Sequence, residues 1–195
     1  MDLQINPKKT KDLNQNQKPS QKELQTLDDL VTALSEEERT TINHIIRSIN
    51  INPKDIEKYT SWSEDCYTRN CIINNEKFEL ILICWCKGHK TPIHDHGGQE
   101  CWVKVIEGEL EEVIYKKNEN DELIAIRSSK SKANQVTYMK DFMGFHSLEN
   151  ISPNRSITLH LYAKPIRKCN IFNEDLKKFV SKEMNYDTVA NYIKK

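Results

Sequence analysis

Between Lys22 and Leu34 the apolar residues Leu24, Leu27, Leu30, Val31 and Leu34 recur at helical spacing, which predicts one amphipathic helix. Ser35 followed by Glu38 forms a capping-box pair ahead of Ile42, Ile45, Ile46 and Ile49, so a second helix is expected directly after the first. A short third helix is expected after Pro53, with Asn52 as its cap. Past Trp62 the texture changes. Cys71 to Ile73, Phe78 to Trp85, Cys101 to Ile106, Leu110 to Tyr115, Leu123 to Ile126, Val136 to Met139 and Ser156 to Ala163 are short β-prone runs. Turn signals separate them, among them Asn74-Asn75-Glu76, Gly97-Gly98, Glu107-Gly108-Glu109 and Asn118-Glu119-Asn120-Asp121. Short strands at regular intervals with no helices between them predict an antiparallel sandwich or barrel. The expected fold is mainly β, with a barrel over about residues 62–185 preceded by two or three N-terminal α-helices over about residues 22–60. Phe172 to Tyr192 shows no clear period and predicts no particular element.

Residues 1–21 are rich in Lys, Asn and Gln and poor in apolar groups, so they cannot offset the entropy of ordering, and a flexible polar tail is expected there. The remaining 22–195 suit a single domain in a chain of 195 residues. Lys plus Arg and Asp plus Glu number 29 each, so no basic face is announced for nucleic acid or an acidic membrane. No apolar run approaches the roughly 18 residues of a membrane span or the core of a signal peptide. A cytoplasmic protein is expected, and its six cysteines (66, 71, 84, 86, 101 and 169) are read as reduced thiols. Cys84 and Cys86 share a strand face and are read as core residues rather than a ligand pair.

Candidate chemistry centres on His94-Asp95-His96-Gly97-Gly98-Gln99-Glu100-Cys101. Two histidines separated by one residue point the same way on a strand, and imidazole suits zinc, copper, nickel or iron. A third ligand could come from His146 or His160, each in or beside a later strand. His44 belongs to the second helix and His89 to a turn, where it is read as solvated. In Thr158-Leu159-His160-Leu161-Tyr162 the polar side chains share one face. Inside a barrel such a face would need internal hydrogen bonds.

Gly88-x5-His94-x-His96-x4-Cys101-x6-Gly108 resembles the first motif of the cupin superfamily, with cysteine where glutamate is usual. Glu100 falls one residue short of that register and is read as non-ligating, because a one-residue shift reverses the face. The second cupin motif is partly kept in His146-x3-Asn150, with Gly144 displaced and the proline absent. A narrower set is more specific. Tyr67-Thr68-Arg69-Asn70, Leu82-Ile83-Cys84-Trp85, Ile93-His94-Asp95-His96, Gly144-Phe145-His146, Glu149-Asn150-Ile151-Ser152 and Leu159-His160-Leu161-Tyr162 resemble, in order and spacing, the eukaryotic cysteine dioxygenases of type I across about residues 59–172.

That resemblance implies a cupin-type double-stranded β-helix, or jelly-roll barrel, holding one iron(II) per chain through His94, His96 and His146. It implies a monomer that adds both atoms of O2 to the sulfur of free L-cysteine, giving cysteine sulfinic acid in cysteine catabolism toward taurine and sulfate. Arg69 matches the residue that pairs with the substrate carboxylate, and Tyr67 lines the same pocket. Tyr162, His160 and Cys101 match the catalytic group, with Thr158 standing where the family usually has serine. Trp85 packs behind them, and Cys169 matches a cysteine near the mouth of the site. Cys101 and Tyr162 match the pair that becomes joined by a thioether in eukaryotic members. The rival readings are a 3-mercaptopropionate dioxygenase, a cysteamine dioxygenase and a non-catalytic metal-binding cupin.

Overall fold

A computed structural model describes residues 24–36 and 39–190. The tail expected over residues 1–21 and the Glu38 half of the capping box lie outside the described residues. Three helices come first: α1 (Leu27–Glu36), α2 (Ile42–Ser48) and α3 (Pro53–Ile56). Asn52 caps α3 as expected, its side chain accepting from Lys54 N at 3.0 Å. The expected start of the second helix is corrected. Ser35 lies in the last turn of α1, where its hydroxyl donates to Val31 O at 2.7 Å, and a 3-10 turn over Arg39–Thr41 leads into α2. A serine hydroxyl can satisfy a carbonyl within its own helix as readily as it caps the next one.

Eleven strands follow: β1 (Thr68–Asn74), β2 (Glu79–Trp85), β3 (Cys101–Glu107), β4 (Glu109–Lys117), β5 (Leu123–Lys132), β6 (Val136–Met139), β7 (Phe145–Asn150), β8 (Ser156–Tyr162), β9 (Lys168–Asn173), β10 (Lys178–Glu183) and β11 (Thr188–Val189). One sheet has the order β11-β1-β2-β8-β3-β6, a second β5-β4-β7, and a hairpin pairs β10 with β9. Among the described strand pairs only β1–β11 is parallel. Single bridges from His94 to His146 and to Ile171 place the 90–94 segment between β7 and β9, so the smaller sheet and the hairpin act as one layer facing the six-stranded sheet. This is a mainly β, double-stranded β-helix with helices at its N-terminal side.

The centre of the six-stranded sheet is buried on both faces, which is why β2 and β8 are buried at every position. On its outer face Leu80, Leu82, Cys84, Trp102, Leu159 and Leu161 pack beneath Leu30, Val31, Ile46 and Ile56 of the helices. On its inner face Ile81, Ile83, Trp85, Val103 and Val105 meet Leu110 and Leu148 of the opposite layer. Cys84 and Cys86 are unpaired buried thiols, as expected of core residues. β7, β9, β10 and β11 had no counterpart among the expected β-prone runs. Phe145-His146-Ser147-Leu148-Glu149-Asn150 carries only two strongly apolar residues, and its pairing with β4 comes from tertiary context.

The β3–β4 turn depends on Gly108, at φ +87°, where an added Cβ would stand 1.9 Å from Ser156 Oγ. That hydroxyl is itself held by Asn150 Oδ1 at 2.7 Å, so it cannot move aside freely. Gly108→Ala should lower stability by about 1–3 kcal/mol, read as a reduced denaturant midpoint. An unchanged midpoint would contradict the assigned close packing.

Candidate metal centre

The site is built from one ligand segment and one strand. His94 and His146 exchange both backbone hydrogen bonds, each 2.9 Å, as a directly opposed antiparallel pair, and such pairs project their side chains to the same face. His96 joins them from the next turn. The expectation that His94 and His96 share a strand is corrected: His94 makes isolated bridges and His96 stands outside any strand, just before the Gly97-Gly98 turn. Convergence is instead imposed by two carboxylates. Asp95 accepts from Gly97 N at 3.1 Å and from Asn170 N at 2.8 Å, and Asp141 accepts from His96 N at 2.9 Å and from Gly98 N. Gly97, at φ +57°, lets the loop pass with its Cα side against Lys168 O, where a Cβ would come to 2.2 Å.

Potential ligand atoms of His94, His96 and His146 all lie within 4.8 Å of one another. His94 Nδ1 donates to Pro92 O at 2.9 Å, and His146 Nδ1 donates to Glu112 Oε1 at 2.7 Å. A carbonyl or carboxylate oxygen can only accept, so both rings carry hydrogen on Nδ1 and keep a lone pair on Nε2. The Nε2 atoms of His96 and His146 face each other at 3.0 Å, and His96 Nδ1 is buried with no partner among the described residues. A hydrogen on His96 Nε2 can bridge the two nitrogens at the cost of leaving Nδ1 unpartnered, and a metal ion can take that hydrogen's place between them. The donor set therefore fits a first-row metal ion. Glu100, the rival carboxylate, is engaged elsewhere, accepting from Tyr138 Oη at 3.1 Å and Lys140 Nζ at 2.9 Å, and His89 has both ring nitrogens partnered, by Cys86 N and Glu64 O, rather than solvated.

The remaining predicted residues fall around the same cavity, which is lined in part by Tyr67, Arg69, His160, Tyr162 and Cys169. β8 projects Thr158, His160 and Tyr162 inward, all buried. Trp85 Nε1 donates to Thr158 Oγ1, and Thr158 Oγ1 lies against His160 Nε2, each at 2.9 Å. Tyr162 stands directly opposite Cys101 in the β8–β3 register and edge-on to His96, with ring centroids 5.7 Å apart. Tyr67 packs on Trp85, and Cys169 Sγ meets Met184 Sδ at 3.2 Å near the mouth.

Arg69 is 8% exposed, with Nε donating to Asn185 O at 3.1 Å and Nη2 buried without a partner among the described residues. Asp187 brackets its backbone, accepting from Arg69 N at 2.7 Å and donating to Arg69 O at 2.8 Å. Burial works against the guanidinium charge, but Tyr162 and Glu79 beside it outweigh that and hold it charged. Glu79 is fully buried and accepts from Asn74 Nδ2 and Ile166 N, each at 3.3 Å, and from Tyr186. Burial, then the nearby Cys101 thiol, lifts the Tyr162 phenol well above its usual range. Cys101 is likewise raised by burial.

Sequence reasoning missed Glu112, Glu79, Asp141 and the Asn185–Asp187 segment. Glu112 had a readable signal, since it alternates with Leu110 and Ile114 on the apolar face of its strand.

Burial and the neighbouring His146 push His94 down to about 3, and burial above all lowers His96 and His160 well below the imidazole range. In the metal-free chain these rings stay neutral while unfolded histidines take up protons below about pH 6.5. The unfolded state then binds more protons, so stability must fall as pH drops from about 6.5 toward 3. Denaturant midpoints in chelator should decline between about pH 6.5 and 5, before most carboxylates titrate. A flat profile there would contradict the assigned burial.

The sequence profile of the family Cysteine dioxygenase type I matches residues 14–175. The chain is 30% identical over 161 residues to cysteine dioxygenase type 1 of Danio rerio, covering 77% of this chain and 80% of that protein. It is 31% identical over 137 residues to the Rattus norvegicus protein of the same name, covering 68% of each. Among solved structures, oxalate decarboxylase of Lactobacillus farciminis in a formate complex superposes with a TM-score of 0.50 and 16% identity, over 62% of this chain and 36% of that one, a likeness of fold. The profile match takes in the three converging histidines, Arg69 and the Thr158–Tyr162 strand, and the chain belongs to the cysteine dioxygenase type I family.

Proposed function

We propose that this chain is an iron(II)-dependent dioxygenase of free L-cysteine, yielding cysteine sulfinic acid. The observation that carries this reading is the convergence of His94, His96 and His146 in a cavity also lined by Arg69, whose buried Nη2 has no partner among the described residues. His94, His96 and His146 hold the metal. Iron(II) bound there supplies the redox chemistry by which one thiol and one O2 become one sulfinic acid, the sulfur taking both oxygen atoms.

Arg69 pairs with the substrate carboxylate through the free end of its fork, a role a planar guanidinium fills better than an ammonium. Its other edge is already committed to Asn185 O, so the carboxylate meets a donor that needs little reorganisation. Tyr162, held protonated by burial, offers a hydroxyl hydrogen bond beside Arg69. Thr158 orients His160, and His160 stands within the same cavity as a proton relay toward Tyr162. Tyr67 and Trp85 form an aromatic wall, and Ile83, Leu148 and Ile166 keep the cavity apolar between its polar groups. Cys101 and Tyr162, opposite each other in the β3–β8 register, would join in a thioether as O2 takes up the thiol hydrogen and one ring hydrogen, which would immobilise the phenol and remove a thiol from oxidising chemistry. All six cysteines are unpaired, in keeping with a reducing compartment such as the cytosol.

Oxygen uptake by the iron-loaded protein should be fastest with L-cysteine, slower with 3-mercaptopropionate and slowest with cysteamine, which offers Arg69 no carboxylate. Equal rates on all three would refute the role of Arg69. Arg69→Leu should raise KM for cysteine about 10- to 100-fold, the equivalent of ~1.5–3 kcal/mol for charged hydrogen bonds. His146→Ala should abolish sulfinate formation, scored by mass; retained activity would remove His146 from the ligand set. Turnover should also produce an intact mass about two hydrogens lighter, and Tyr162→Phe should keep the full mass expected for its own sequence.

A further inference from the structure

Resting on the reading that the three histidines hold a metal ion, we propose that Glu112 is the positioning residue that tunes this metal site, fixing the His146 tautomer and supplying the ligand set's negative charge from one imidazole away. Glu112 faces inward from β4 and is 3% exposed. In the β4–β7 register His146 stands opposite Ile114 and Leu148 opposite Glu112, so Glu112 is the diagonal neighbour of His146 on the same face. Its Oε1 accepts from His146 Nδ1 at 2.7 Å, and its Oε2 is buried with no partner among the described residues.

A buried carboxylate with one oxygen unsatisfied is expensive unless a positive charge compensates it. The ring it touches supplies one hydrogen bond, to Oε1 alone. A divalent cation on Nε2 of the same ring brings positive charge to a carboxylate already bonded to that ring through Nδ1. The placement differs in kind from a carboxylate ligand. Glu112 offsets part of the cation's charge while occupying none of its coordination positions, so those positions stay open to an anionic thiolate. It also forces hydrogen onto Nδ1 and aims the Nε2 lone pair at the His96 ring.

The two functions separate by substitution. Glu112→Gln keeps an acceptor for Nδ1–H and loses the charge, whereas Glu112→Leu loses both. Cobalt(II) and iron(II) affinities, measured anaerobically by competition with a chromophoric chelator, should fall 10- to 100-fold in Glu112→Gln and further in Glu112→Leu. Imidazole nitrogen NMR of the metal-free wild type should show His146 as the Nδ1–H tautomer, and this holds whether or not the variants fold. Affinity within twofold of wild type in Glu112→Gln, or a wild-type His146 carrying its hydrogen on Nε2 in the metal-free protein, would each overturn the role of Glu112. Failure of wild type to bind one metal ion per chain, or binding unaffected by His146→Ala, would instead overturn the metal reading itself.

Discussion

Two backbone hydrogen bonds between His94 and His146, each 2.9 Å, are the constraint from which the rest of the site follows. They splice the 90–94 segment into the sheet beside β7, bring a third strand partner through Ile171, and leave two imidazoles on one face with no freedom to separate. Without that pairing, residues 52 positions apart in the chain would share nothing but composition. Asp95 and Asp141 then bind the following turn from opposite sides, one tied to β9 and the other to the loop before β7. The third imidazole is placed by loop hydrogen bonding alone. A barrel wall thus supplies the rigid part of the site and a short carboxylate-braced loop supplies the rest.

How much of this could be read from sequence depended on periodicity. β2, β3, β6 and β8 announce themselves through continuous or alternating apolar residues, because their inner faces meet the core and most of their outer faces lie beneath the helices. β7 does not, since Phe145 and Leu148 are its only strongly apolar members and its order comes from β4 and the 90–94 segment. β9 to β11 are exposed along much of their length, so no burial pattern marks them. The convergence of His94 and His96 was legible, although the strand offered as its reason was not the reason. A loop pinned by side-chain carboxylates has no period to detect.

Charge around Arg69 is managed by a chain of neighbours. Arg69 is held charged by Tyr162 and Glu79, and Glu79 is in turn satisfied by Asn74, Ile166 and Tyr186. The Thr158 hydroxyl is engaged by Trp85 on one side and His160 on the other. The polar face of β8 is therefore affordable inside an otherwise apolar barrel, because its groups find partners there before any ligand arrives.

Arg69 is braced by Asn185 and Asp187, which follow it by 116 and 118 residues. A chain grows from its N-terminus, so His94, His96, His146 and the strands that carry them are made before the segment that steadies the guanidinium. Synthesis thus imposes an order of assembly: the imidazole cluster can close first, and the anchoring cation is locked in place only afterwards, when β11 aligns along β1. During that interval the chain holds its three imidazoles while the guanidinium has no brace.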